Sequence, residues 1–152
     1  MTKPGNPWLF LFNILFMKPF IYSGLFVGFT FLLRQIKINN IIKTGISYIG
    51  TPYLWGGCTP GGFDCSGFIQ YIYAENNLRI PRTTNQMLTD LKSVNNLIKG
   101  DIILFNMQNG FQHAGLYIGN DEFIHASSSQ GITISSLSSY WKPFIVDYKR
   151  VF

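Results

Sequence analysis

The sequence is short of charge. Only 12% of its 152 residues are Asp, Glu, Lys or Arg, roughly half the usual ~25%, while 47% are hydrophobic. A chain this apolar has material for a core and is not intrinsically disordered. Two cysteines exclude a disulfide-dense scaffold, and two histidines beside them leave too few ligands for a structural zinc site. No Asp or Glu precedes Asp64, and 12 basic residues face 7 acidic ones for a net charge of +5. The basic residues never cluster beyond the adjacent pair Lys149 and Arg150, and the aromatics lack a platform motif, so the charge does not indicate nucleic acid. It suits anionic polymers and lipid headgroups. At 152 residues there is room for about one domain, and none for a tandem enzyme or a repeat array.

The apolar excess lies at the N-terminus. Between Trp8 and Leu33 the only charge is Lys18, and 7 of the 14 Phe fall there. As a helix these residues would run about 39 Å, enough to cross a hydrocarbon core of ~30 Å with tilt. Three readings fit: a signal peptide, an uncleaved membrane anchor, and an amphipathic or core helix. Phe20 to Leu33 behind Lys18 has the form of a signal h-region, with Met17 as an alternative start, but neither an A-x-A site nor a lipobox Cys follows. The anchor fits best. Arg34, Lys37 and Lys43 on its C-terminal side against Lys3 on the other oppose export by the positive-inside rule. The chain therefore divides into a hydrophobic segment, residues 1–33, and a domain, residues 34–152, long enough for its own core.

Within the domain, Asn39 to Ile49 reads as a helix with Ile41, Ile42, Ile46 and Ile49 on one stripe, ended by Gly50-Thr51-Pro52. The Gly-rich stretch from Gly56 to Gly62 reads as a loop. Asp64 is a good N-cap for a helix over Cys65 to Asn76, and Thr83 to Leu91 is a second short helix. From Asp101 the period changes to that of strands: Ile102–Phe105, His113–Ile118, Glu122–Ala126, Ile132–Ser135 and Ile145–Arg150. Helices first and strands later predict an α+β fold, with helices packed on one face of an antiparallel sheet.

Cys65 draws attention because it opens a helix one residue after a cap. There the unpaired backbone N–H groups and the helix dipole favour an anion, which should lower the thiol pKa and arm a nucleophile. A buried structural cysteine is the bland alternative, and a disulfide with Cys58 a second. The two histidines favour the first reading. His113 and His125 fall on consecutive strands joined by Gly119-Asn120-Asp121, and an odd loop puts both imidazoles on one face of the hairpin. One can take the proton of Cys65 while the other fixes the first ring's tautomer.

These residues also carry a resemblance. In order along the chain, Tyr53-Leu-Trp-Gly-Gly57, Phe63-Asp-Cys-Ser-Gly67, Gly100-Asp101, His113-Ala-Gly-Leu-Tyr-Ile-Gly119 and Phe123-Ile-His-Ala126 resemble the motifs of the NlpC/P60 family of cell-wall cysteine peptidases. The match runs from about residue 40 to the end. Lys99 stands where the family often has Pro, and Ala114 where Val is frequent.

The resemblance implies a papain-like core and hydrolysis of peptidoglycan stem peptides, commonly between D-glutamate and the diamino acid. It assigns Cys65 as nucleophile, His113 as general base and acid, and His125 as third member of the triad. Tyr53 would help hold the oxyanion or the substrate, with the Cys65 backbone N–H as the natural second donor. Asp64 and Ser66 match positions that in some members hold the free amine of the stem peptide, and Arg82 a structural or cleft-edge position. No cofactor and no metal are implied. The expected partners are muropeptides and, through residues 8–33, a membrane, with a place in the cell envelope. The sequence leaves the oligomeric state open. Two rivals stay open: an amidase or acyltransferase on a non-wall substrate, and a binding module without turnover on the same fold.

Overall fold

The computed structural model describes residues 7–107 and 112–152, with side chains described from residue 26 onward. The chain forms two units, Met1–Ile36 and Lys37–Phe152. The first helix, α1, is assigned over Pro7–Ser47. In the first unit Phe26, Val27, Phe29 and Phe31 are exposed. Among the described residues no helix is long and apolar enough to cross a membrane. Of the segment read as an anchor, residues 8–25 have side chains outside those described.

The second unit is α+β. After α1 come a small hairpin of β1 (Cys58–Thr59) and β2 (Gly62–Phe63), then α2 (Cys65–Glu75) and α3 (Thr84–Asp90). The strands β3 (Lys92–Ser93), β4 (Ile102–Asn106), β5 (Gln112–Gly119), β6 (Glu122–Ser127), β7 (Gly131–Ser136) and β8 (Ile145–Arg150) follow. They pair antiparallel in the order β3-β8-β4-β5-β6-β7. A short 3-10 helix, Lys142–Phe144, precedes β8.

Strand alternation sorts the apolar residues onto two faces. Ile102, Leu104, Ala114, Leu116, Ile124 and Ala126 join Phe68, Ile69, Ile72 and Tyr73 of α2 in the main core. Ile103, Phe105 and Phe123 build a second, smaller core with Leu137, against which Trp141 and Phe144 pack. Gly100-Asp101 explains itself here. Asp101 is buried, takes Nε and Nη2 of Arg150 at 2.8 and 2.7 Å, and accepts the Ile98 N–H at 2.8 Å. That ties the turn before β4 to the last strand.

Two expectations need correction, and one strand is added. The buried stripe of α1 is Ile38, Ile41 and Gly45, with Ile42 partly buried, whereas Ile46 and Ile49 are exposed. The helix ends at Ser47, so those two isoleucines sit at and beyond its last turn. The Gly-rich stretch is not all loop, because Cys58 pairs with Phe63 and Thr59 with Gly62, and Tyr53 bridges Phe63. Strand β3 was not foreseen either. Two-residue rungs carry no readable period.

Candidate active site

Asp64 caps α2. Its carboxylate accepts the Gly67 N–H at 2.6 Å, which leaves Cys65 as the first helical residue. Glycine is required at position 67. A Cβ there would lie 2.2 Å from the Gly57 carbonyl oxygen, so any larger residue would push the Gly-rich loop away from the helix start. The motif Phe63-Asp-Cys-Ser-Gly67 thus encodes a buried Phe63, a cap, the thiol and a close approach.

The thiol is free, as is the exposed Cys58, so no disulfide joins them. Cys65 is 6% exposed. Its sulfur lies against the main chain on both sides of His113: Sγ is 3.9 Å from the Gln112 carbonyl oxygen, and the Ala114 N–H stabilises the thiolate. Burial nevertheless pushes the thiol pKa up. The Asp64 charge adds to this, and the N–H groups of Ala114, Ser66 and Cys65 only partly oppose it. The sequence-based expectation of a lowered pKa is therefore reversed. The helix terminus contributes as anticipated, but desolvation outweighs it.

His113 and His125 stand on the sheet face of the second core. The pairing explains how. Gly115 of β5 faces His125 of β6, so His113, two residues earlier, shares its face. The turn is Asn120-Asp121, both with positive φ (54° and 55°), as a two-residue hairpin of the primed type needs. In a regular ladder that turn would place the imidazoles on opposite faces. The register shift between Tyr117 and Gly119 adds one residue to β5 and restores the match. A Cβ at Gly115 would meet the Phe123 ring at 2.5 Å, so glycine there lets the aromatic lie across the strand beside His125.

The rings form a chain of bonds. His113 Nε2 is 2.8 Å from His125 Nδ1, and His125 Nε2 is 2.9 Å from Ser135 Oγ. Trp141 stacks on His113 at 24° and meets His125 edge-on at 75°. Burial, with the neighbouring imidazole, pushes His113 down to about 3, and burial pushes His125 down to about 4. Both rings are neutral at neutral pH. Ser135 and Trp141 were missed in the sequence. A period-two run of hydroxyls, Thr133 and Ser135, on the strand next to His125 was the available signal for the first.

Tyr53, Asp64, Cys65, Ser66 and Arg82 line one groove of about 560 Å³, with the 77% exposed Trp55 at the same site. His113 and His125 line a second cavity of about 470 Å³. Burial first, then the charges of Cys65 and Asp64, raise the Tyr53 pKa and keep its hydroxyl a donor. Arg82 does more than edge the cleft. Its Nη1 donates to Asp64 Oδ1 and Ser66 Oγ, both at 3.0 Å, and its Nη2 to Asp64 Oδ2 at 2.6 Å and the Gly56 carbonyl at 3.0 Å. One guanidinium thereby joins the Gly-rich loop, the cap and the first turn of α2, and neutralises the carboxylate beside the thiol.

A thiol at a helix start, a hydroxyl donor and a buried imidazole relay are the parts of acyl transfer by a cysteine nucleophile. Comparison with known proteins agrees. The chain is 39% identical over 125 residues to the murein DD-endopeptidase MepS/murein LD-carboxypeptidase of Escherichia coli, covering 79% of this chain and 66% of that protein. It is 40% identical over 118 residues to the probable peptidoglycan endopeptidase LytE of Bacillus subtilis, covering 76% and 35%. The chain thus spans between about a third and two thirds of these relatives. The crystal structure of an NlpC/P60 family protein from Bacillus cereus superposes with a TM-score of 0.70 at 30% identity, over 75% of this chain and 40% of that one. The model of the NlpC/P60 family matches residues 50–150, and the chain belongs to that family.

Proposed function

We propose that this chain is a cysteine endopeptidase of the cell envelope that hydrolyses peptidoglycan stem peptides through a thioester, at the bond between D-glutamate and the diamino acid. The observation that carries this is the buried sulfur flanked by Gln112 and Ala114, next to a relay from His113 through His125 to Ser135. The relatives' names support wall endopeptidase activity, and the choice of bond rests on the resemblance alone.

The chemistry starts from a neutral pair. For His113 to accept a proton at Nδ1, its Nε2 must carry hydrogen and donate to His125 Nδ1, and His125 Nε2–H must donate to Ser135 Oγ. In that arrangement Nδ1 of His113 takes the thiol proton as sulfur attacks the carbonyl carbon. A carbon–sulfur bond forms, and the oxyanion is held by the Tyr53 hydroxyl and backbone N–H groups, that of Cys65 among them. On collapse the carbon–nitrogen bond breaks, His113 returns its proton to the leaving amine, and water cleaves the thioester with His113 again as base. Asp64 and Ser66, held by Arg82, face the amine end of the stem peptide. Residues 8–33 serve as the membrane anchor.

The test is digestion of defined muropeptides with product masses read by mass spectrometry. The native protein releases fragments ending at D-glutamate. Cys65→Ala gives no turnover while retaining substrate binding. Full activity in that variant refutes the mechanism, and products cut at another bond refute the assignment of the bond.

A further inference from the structure

Proton transfer from Cys65 leaves a positive charge on a buried ring. The S–H bond breaks, an N–H bond forms on His113, and the proton stays within the pair. His113 is 6% exposed, so little water reaches the imidazolium it becomes. A buried charge is costly unless its surroundings compensate it. The relay supplies hydrogen bonds but no formal charge, because His125, 2.8 Å away, and Ser135, 2.9 Å beyond that ring, are both neutral.

Trp141 lies on that ring. Its indole is 5.7 Å from His113 between ring centroids, with 24° between the planes, and 5.2 Å from His125 at 75°. The imidazole that takes up the proton is thus the one parallel to the indole, and the one that orients it is nearly perpendicular. A cation over an aromatic face, within about 6 Å of the ring centroid, is attracted by the ring's quadrupole, and indole is the strongest of the aromatic side chains in this role. The indole is also held in place. Phe105 and Phe123 pack on it at 5.1 Å and Tyr140 at 5.4 Å. Its backbone N–H donates to the Ser138 carbonyl and its carbonyl accepts the Phe144 N–H, both at 3.1 Å.

We propose that the π face of Trp141 stabilises the His113 imidazolium formed each time Cys65 is ionised, which makes Trp141 a positioning residue of the catalytic pair. The inference rests on the pairing of Cys65 with His113 in the hydrolase reading above, and on neither the substrate nor the bond assigned there.

The test replaces Trp141 alone, in the full chain, by monofluoro-, difluoro- and tetrafluorotryptophan. Fluorine withdraws electron density from the ring face with little change in shape. The readout is alkylation of Cys65 by iodoacetamide, followed by peptide mass mapping, because only the thiolate reacts and forming it puts the proton on His113. Cys58, a free and exposed thiol on β1, is the internal control. The Cys65 rate should fall stepwise with fluorine number, by about tenfold at the tetrafluoro ring, while the Cys58 rate holds. Methyltryptophan at the same position, bulkier but not electron-poor, should react at nearly the native rate. A Cys65 rate that stays level across the fluorine series overturns the inference. So does a methyl ring that slows Cys65 as much as the tetrafluoro ring, which would make the contact one of shape alone. If the series slopes as expected but the native protein cuts no muropeptide, the hydrolase reading fails and this inference stands.

Discussion

Acid should unfold this protein earlier than its carboxylates require. The chain has 2 histidines, and both are buried, His113 at 6% and His125 at 3% exposure. Their pKa values fall from 6.5 to about 3 and about 4 on folding. A lowered folded-state pKa means stability that is complete above the unfolded value and drains away as pH drops toward the folded one. Between those limits each imidazole costs about 1.4 kcal/mol per pH unit. By pH 5 that is near 2 kcal/mol for each ring, or on the order of 4 kcal/mol for the pair. A domain of this size is stable by only about 5–15 kcal/mol. No other side-chain type ordinarily titrates between about pH 5 and 6.5, so the window isolates the two rings. The assay is denaturant unfolding followed by tryptophan fluorescence at several pH values from about 7.5 to 5. The expected result is a midpoint that holds above pH 6.5 and then falls with a slope approaching two protons. A midpoint that stays level down to pH 5 would refute the reasoning, because it would mean that the folded rings take up protons as readily as the unfolded ones.

Arg82→Lys keeps the charge but cannot hold Asp64, Ser66 and the Gly56 carbonyl together. It should lower stability by about 1–3 kcal/mol and slow turnover, read as a lower Tm and a lower kcat/KM. Gly115→Ala drives a methyl into the Phe123 ring. It should cost about 1–3 kcal/mol and reduce kcat through a displaced His125, with circular dichroism checking that the fold survives. Ser135→Ala removes the last acceptor of the relay. It should reduce kcat/KM about tenfold, far less than Cys65→Ala, and Ser135→Thr should restore most of it.

The sheet and α2 were legible because their residues obey simple periods. Phe68, Ile69, Ile72 and Tyr73 recur at helical spacing, and Ile102, Leu104, Leu116 and Ile124 alternate with residues of the opposite face. Within the candidate site, the cap at Asp64, the helix start at Cys65 and the pairing of His113 with His125 were legible in the sequence. What escaped depends on distance through space. Ser135 reaches His125 only because β7 pairs with β6, and Trp141 reaches His113 from a turn far along the chain. The thiol's pKa was misread for a related reason. A helix start is visible in sequence, whereas the degree of burial that outweighs it is not. Arg82 was placed at the cleft edge, but nothing local to it announces four bonds across three segments.

The extra residue in β5 has a consequence for how this hairpin can change length. Because side chains alternate up and down, the span between His113 and His125 works as a parity counter. Adding or removing residues two at a time keeps the rings in phase. A single deletion that irons out the irregularity near Ile118 would leave a well-formed hairpin with one imidazole turned to the wrong side, so the molecule would keep its shape and lose its chemistry.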